Sequence, residues 1–302
     1  MAIYIKRMRA GLIDPKGTPR VERDTPSVVV IDGCNALGQV CGLFAAEKVI
    51  EKARSSGVAA ATVKRSQHFG AASYYGERIA KEGMIGIVFT NAEPAMPPWG
   101  GKEAFFGTNP ISLVAPTGKG FPVRIDLATS VAARGRIIAA EKKGEAIPEG
   151  WAIDAEGNPT TDAREALAGA VLTMAGHKGY ALALLVEVLC GVLSGAAVGR
   201  ETGSMYKDLD RSQDIGHFLA ALSIEHFLPR AEFLARMDAM IDALKSSPRR
   251  PDAQEILVPG ELEHRGRLRR LSQGIEVGDE VVGELRQLAR ELAVTSGALE
   301  ED

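Results

Sequence analysis

The run Ser27-Val28-Val29-Val30-Ile31-Asp32, closed by Pro26 before it and Gly33 after it, constrains this chain more than any other stretch. β-branched side chains are stiff at χ1 and pack well on a pleated surface, so the run reads as a buried strand. A glycine turn follows, and from about Val40 to Ser55 apolar residues recur at helical spacing as far as Gly57, where a glycine C-cap fits. Val58 to Val63 reads as the next strand, Tyr74 to Lys81 as a helix stopped at Gly83, and Met84 to Phe89 as a further strand.

From Asn91 to Ser130 the pattern changes, because prolines and glycines recur around short apolar pieces such as ISLVA and FPVRIDLA. That favours antiparallel strands and functional loops. Helices are expected again over Asp162 to Leu172, from Lys178, and from Arg230 to Leu244, with a strand in HFLAALSI after Gly216. KSSPRRP marks a connection, and Val281 to Ala293 has the pattern of an amphipathic helix. The class is α/β, with no period of a repeat architecture.

Length and charge narrow the function. The 302 residues suffice for one large or two modest domains, and 36 basic against 39 acidic residues exert no general pull toward nucleic acid or an anionic membrane. Three cysteines, Cys34, Cys41 and Cys190, show no metal-binding spacing, which points to a reducing compartment and no metal. The opening MAIYIKRMRAGLIDP is too charged and too broken for a signal peptide. The longest apolar run, Tyr180 to Val198, is interrupted by Glu187, Gly191 and Gly195 and reads as a buried core helix.

Gly33, Gly38 and Gly42 between a strand and a helix imitate a dinucleotide fingerprint, but the spacing does not match it. The second strand ends in Lys64-Arg65, where NAD binders carry an acid. Arg65 could meet the 2′-phosphate of NADP, whereas glycines that simply permit a tight turn are the simpler reading.

Several strand ends carry groups suited to chemistry. His68, beside Gly70, lies where a ligand could reach it, or is a packed histidine under a loop. Gly107-Thr108-Asn109-Pro110 and Asp126 to Ser130 place hydrogen-bonding side chains next to small residues, and Arg134-Gly135 could offer a bidentate guanidinium to a carboxylate. Turns, helix caps and a solvated arginine are the plainer alternatives. Gly176-His177-Lys178-Gly179 sets cations at a helix start, which an anion would explain. Val258-Pro259-Gly260-Glu261 reads as an exposed turn, and Glu187 as a structural group needing a partner.

Taken together, IDGCNALGQ, SQHFGAASYY, PPWGGKEAFFGTNP, DLATS, ARGRI, IPEGWAIDAEGNPTTD, GHKGYAL and VPGE resemble the type 2 malate/L-lactate dehydrogenase family, in the family's order. The resemblance implies a non-Rossmann fold with a mixed, mainly antiparallel sheet flanked by helices, a cytoplasmic homodimer, and NAD or NADP as cofactor. It implies a discontinuous substrate and dimerisation domain over 1–65 and 215–302, and a cofactor domain over 66–214. By the same resemblance His68, Phe69, Gly70, Ala71, Ala72 and Ser73 would approach the cofactor, as would Asp126, Leu127, Ala128, His177, Lys178, Pro259, Gly260 and Glu261. Thr108, Arg134 and Gly135 would hold the substrate, and His68 would transfer the proton.

The expected reaction moves a hydride between the nicotinamide and a small 2-hydroxy or 2-oxo acid such as malate or lactate. Reduction of a cyclic imine such as Δ1-piperideine-2-carboxylate is the alternative. The family's upstream Ser-His-Gly segment and its nearby arginine are not in this sequence. A shortened, non-catalytic relative is therefore a further alternative.

Overall fold

A computed structural model describes residues 2–294. In chain order the elements are α1 (Ala2–Arg9), β1 (Arg20–Asp24), β2 (Val28–Asp32), α2 (Gly38–Ser56), β3 (Val58–Ser66), α3 (Ala72–Lys81), β4 (Met84–Thr90), β5 (Ile111–Ala115) and β6 (Val123–Leu127). They continue with α4 (Arg134–Lys143), β7 (Ala152–Ile153), β8 (Pro159–Thr160), α5 (Ala163–Ala168), β9 (Ala170–Val171), α6 (His177–Glu187), β10 (Ile215–Ser223), α7 (Arg230–Ser246), α8 (Glu261–Gln273) and α9 (Asp279–Glu291).

Seven strands form one sheet in the order β1-β2-β3-β10-β4-β5-β6, and β8-β7-β9 form a small second one. Only β2 and β3 are parallel in the large sheet, joined through α2; every other neighbouring pair is antiparallel, so the mixed, mainly antiparallel sheet is as expected. The central strand β10 comes from late in the chain and separates β3 from β4. Strands of 1–65, 66–214 and 215–302 thus share one sheet.

Alternation decides which side is covered. Met84, Gly86, Val88 and Thr90 of β4 are buried while the residues between them are only half so. The buried side faces α2 and α3, where Cys41, Ala45, Val49, Tyr75 and Ile79 meet Val29, Ile31, Ala59, Ala61, Val63, Val88 and Leu219 in the main core. Alanines on β3 and β10 let the helices sit close. The three glycines of the apparent fingerprint serve this packing: a Cβ at Gly38 would lie 2.1 Å from the Gln67 carbonyl oxygen, one at Gly42 2.5 Å from the Tyr75 ring, and one at Gly33 2.9 Å from the Arg65 carbonyl oxygen. Arg65 is tied to Asp32 at 2.9 Å.

Three expectations change. The helix expected over 162–172 is only α5, because Gly169 passes so close to the Ile153 carbonyl, 2.1 Å from where a Cβ would sit, that the chain turns into β9. The apolar run 180–198 is not a wholly buried helix: α6 gives way to a π-helical turn at Val188–Val192, and Leu184, Leu185, Val188, Val192 and Leu193 face outward. The turn at Pro259 is not exposed throughout, since Val258 and Glu261 are buried and Glu261 begins α8. Among the described residues no helix is long and apolar enough to cross a membrane.

Candidate active site

The end of β3, the loop after β4, the end of β6 and the start of α4 meet around a cavity of about 480 Å³. That size suits a small ligand, whose pockets run from about 300 to 1,000 Å³. His68, Thr108, Ala128, Arg134 and Gly135 all line it, so five of the expected residues converge from separated stretches. Glu93, Met205, Lys207 and Gln213 complete the wall.

His68 is held from two sides. Its backbone N–H donates to Gln213 Oε1 at 3.2 Å, and its Nδ1 meets the Tyr4 hydroxyl at 2.6 Å; Gln39 Nε2 donates to the same hydroxyl at 3.3 Å. Among the described residues Nε2 has no partner. Desolvation lowers the His68 pKa from its ordinary value, against a smaller opposing effect of the Glu93 carboxylate. That shift favours the neutral ring, and a neutral imidazole can accept a proton as a base.

Arg134 begins α4, with Nη1 4.0 Å from Glu93 Oε1 and 3.5 Å from the Pro94 carbonyl. Glu93 is itself fixed by the Met205 N–H at 2.7 Å. Most of the guanidinium fork remains available for a ligand carboxylate. Gly135 has nothing within 4 Å of where a Cβ would stand, so a side chain there would project into free space at the cavity wall.

Thr108 is braced by its neighbours. Its carbonyl accepts from the N–H and the hydroxyl of Thr129 at 2.9 and 3.0 Å. Next to it, Asn109 Nδ2 donates to Glu187 Oε2 at 2.8 Å, while Glu187 Oε1 accepts from the Gly199 N–H at 2.7 Å. Glu187 is thus the partnered structural group expected. Gly179 passes within 2.2 Å of the Met174 carbonyl and 3.0 Å of the Thr129 carbonyl, measured from its missing Cβ, which presses the start of α6 beside the Ala128–Thr129 corner. His177 and Lys178 are exposed at that start, and Lys178 has no ion pair among the described residues.

The other expected residues lie around this centre. Phe69 is buried, stacked between Tyr75 and His217 at centroid distances of 4.6 and 4.2 Å. Gly70 adopts φ +84° with open space where a Cβ would be, followed by Ala71 and the buried Ala72. The Ser73 N–H donates to Asp126 Oδ2 at 3.1 Å, so Asp126 caps α3. Leu127 is exposed on the edge strand. Pro259 and Gly260 dock on β6 through the Arg124 N–H, 2.9 Å from the Pro259 carbonyl, and Glu261 is bound by Lys245 and Arg265. Those two cations hold the Glu261 carboxyl down at about 2.

A cavity with small-residue walls, open space at Gly135 and a lysine, Lys207, without an ion pair among the described residues fits a nicotinamide nucleotide beside a small acid. Sequence reasoning missed Tyr4, Glu93, Lys207 and Gln213. A polar residue after a strand flagged His68, and Asn91-Ala92-Glu93 after β4 carries the same signal; Tyr4 and Gln213 reach the site only through tertiary contacts. Among the described residues no three His, Cys, Asp or Glu side chains are grouped to hold a metal ion.

The malate/L-lactate dehydrogenase family matches residues 1–286. A malate dehydrogenase of Pyrococcus abyssi is 39% identical over 299 residues, covering 96% of this chain and 82% of the relative. The (2R)-3-sulfolactate dehydrogenase (NADP(+)) of Chromohalobacter salexigens is 35% identical, covering 96% and 84%. The solved sulfolactate dehydrogenase of Methanocaldococcus jannaschii superposes with a TM-score of 0.89 at 38% identity, over 97% of this chain and 84% of that one. The match runs through His68, Thr108 and Arg134, and the chain belongs to the malate/L-lactate dehydrogenase family, oxidoreductases that use NAD(P) to act on the CH–OH group of small hydroxy acids.

Proposed function

We propose that this chain interconverts a small 2-hydroxy acid of the malate or sulfolactate kind with its 2-oxo acid, using the cavity between His68 and Arg134. The observation that carries this reading is the presence, in one cavity, of a guanidinium with free donors and an imidazole whose Nε2 has no partner among the described residues. A bound nicotinamide supplies or accepts the hydride. The protein's part is positioning and proton transfer.

Arg134 pairs with the substrate carboxylate and Thr108 helps to orient it. In the oxidative direction the Nε2 lone pair of His68 takes the hydroxyl proton while Nδ1–H donates to the Tyr4 oxygen. In the reductive direction the imidazolium returns that proton to the carbonyl oxygen. Glu93 supports both steps by holding Arg134 and by favouring the charged imidazole that forms. His68 to Ser73, Asp126 to Ala128, His177-Lys178 and Pro259 to Glu261 are the cofactor-lining positions in this reading, chiefly within 66–214, while 1–65 and 215–302 frame the substrate.

A homodimer in the cytoplasm belongs to the same reading. The free thiols of Cys34, Cys41 and Cys190 suit a reducing compartment, and the outward apolar strip of α6 suits a second copy.

The test follows oxidation of NADH and NADPH by the purified chain with pyruvate, oxaloacetate, 3-sulfopyruvate and Δ1-piperideine-2-carboxylate. Turnover with a 2-oxo acid is expected. Turnover with the cyclic imine alone, or with nothing in folded protein, overturns the reading.

A further inference from the structure

A second chamber, of about 440 Å³, adjoins the active cavity, and Glu93, Arg134, Leu167, Ser204 and Lys207 belong to the walls of both. Its lining carries five cationic side chains against three acidic ones. Three of the cations are engaged: Arg200 with Glu103 at 2.7 Å, Arg211 with Asp208 at 2.8 Å, and Arg134 with Glu93 at 4.0 Å. Lys102 and Lys207 have no ion pair among the described residues. Thr202, only 1% exposed, lines the same chamber, and its hydroxyl has no hydrogen-bond partner. A buried hydroxyl left open costs stability, and a ligand oxygen bonded to it would offset that cost.

The fold holds both lysines in place. Gly157, at φ +96°, packs against the stem of Lys102, so that a Cβ there would lie 3.0 Å from Lys102 Cβ. The Lys207 N–H donates to Ser204 Oγ at 3.2 Å, in the segment whose carbonyl oxygens bind the Arg7 guanidinium. Arg134 stands on the shared wall. A carboxylate paired with it leaves the far end of the same molecule able to enter the second chamber. A short acid is served by Arg134 alone, whereas Lys102 and Thr202, which line only the second chamber, are reached by a longer tail.

We propose that the second chamber takes a further acidic group of the substrate, bound by Lys102, Lys207 and Thr202. The chain then prefers 2-oxo acids whose second carboxylate is separated from the carbonyl by two or more methylenes. For the reaction this rests on the dehydrogenase reading above; the binding of the charged tail stands without it.

Ligand-observed NMR titration with glutarate and with glutaramate tests the chamber without turnover, because the two probes match in length and shape and differ in the charge of one end. The native chain is expected to bind glutarate about tenfold more tightly. Lys102→Gln with Lys207→Gln should abolish that advantage and leave glutaramate binding within about twofold, whereas arginine at both positions should retain it. Thr202→Val should weaken glutarate about threefold without lowering thermal stability, since the hydroxyl has no partner to lose. Equal binding of the two probes by the native chain, or equal weakening of both in the double variant, overturns the proposal. The shorter pair, succinate and succinamate, should differ by less than about threefold, and an advantage as large as that of glutarate overturns the assignment of tail length. Assays with 2-oxoglutarate and 2-oxohexanoate separate the two readings. Equal turnover of both acids removes this inference alone, and tighter glutarate binding without turnover of any acid removes the dehydrogenase reading and leaves the subsite.

Discussion

The Tyr4 hydroxyl lies 2.6 Å from His68 Nδ1, a contact across 64 positions of sequence that leaves Nε2 as the imidazole's one open nitrogen. This fixes the ring by a neutral partner that can either give or accept a hydrogen bond. Tyr4→Phe should lower kcat about tenfold with little change in KM, and His68→Asn should lower it by about a hundredfold or more. Because Tyr4 acts through His68, its loss should also move the pH profile of kcat; an unchanged profile with native kcat would remove Tyr4 from the mechanism.

The pH dependence has a definite sign. Desolvation depresses the His68 pKa, so the neutral base persists through neutrality, and the oxidative rate should fall only on acidification below the ordinary histidine value of about 6.5. Glu93→Gln removes the carboxylate that opposes this depression and should push the acidic limb lower still. Initial rates of hydroxy acid oxidation across that range check both statements, and a limb moving upward in the variant would contradict them.

Arg134 should matter for binding more than for turnover. Arg134→Lys keeps a charge but loses the fork, and KM for the acid is expected to rise by about tenfold to a hundredfold. Steady-state kinetics in the reductive direction would show it; an unaltered KM would place the carboxylate elsewhere in the cavity.

Glu187 predicts a stability effect away from the chemistry. Its carboxylate accepts from Asn109 Nδ2, from the Gly199 N–H and, at 3.4 Å, from Asn91 Nδ2, all in the buried interior. Glu187→Ala strands the Gly199 N–H, takes one acceptor from each asparagine amide and should cost about 3 kcal/mol. Urea unfolding should register the loss, and a midpoint equal to the native one would mean that the donors find other partners.

The strip formed by Leu184, Val188 and Val192 repeats every four residues, and Val192 and Leu193 are 62% and 60% exposed. Leu185→Glu together with Val192→Glu should convert a dimer to monomer in analytical ultracentrifugation. A native chain that is monomeric at micromolar concentration would disprove the pairing of copies.

Legibility followed the range of the forces involved. β2, β3, β4 and β10 were readable because β-branched and apolar runs bounded by glycine and proline are local signals, and α2 and α3 because their apolar spacing ends at Gly57 and Gly83. α1 and α8 were not: α1 is charged, and α8 is anchored less by an apolar face than by Glu261 between Lys245 and Arg265. In the site, His68, Thr108 and Arg134 stood out as polar groups beside glycine or proline near strand ends. Which of them share a cavity depends on β10 entering between β3 and β4, a long-range pairing with no local trace.

Arg7 is wholly buried and gives its Nη1 and Nη2 donors to the carbonyl oxygens of Ser204, Met205, Asp208 and Arg211. Met205 and Lys207 are wall residues of the active cavity, so α1 ties down the segment that forms one of its sides. During synthesis that side must stay open until residue 211 has left the ribosome, because the clasp needs both ends of a span of some two hundred residues. A nascent chain cannot possess the finished pocket until Arg211 has emerged to meet Arg7.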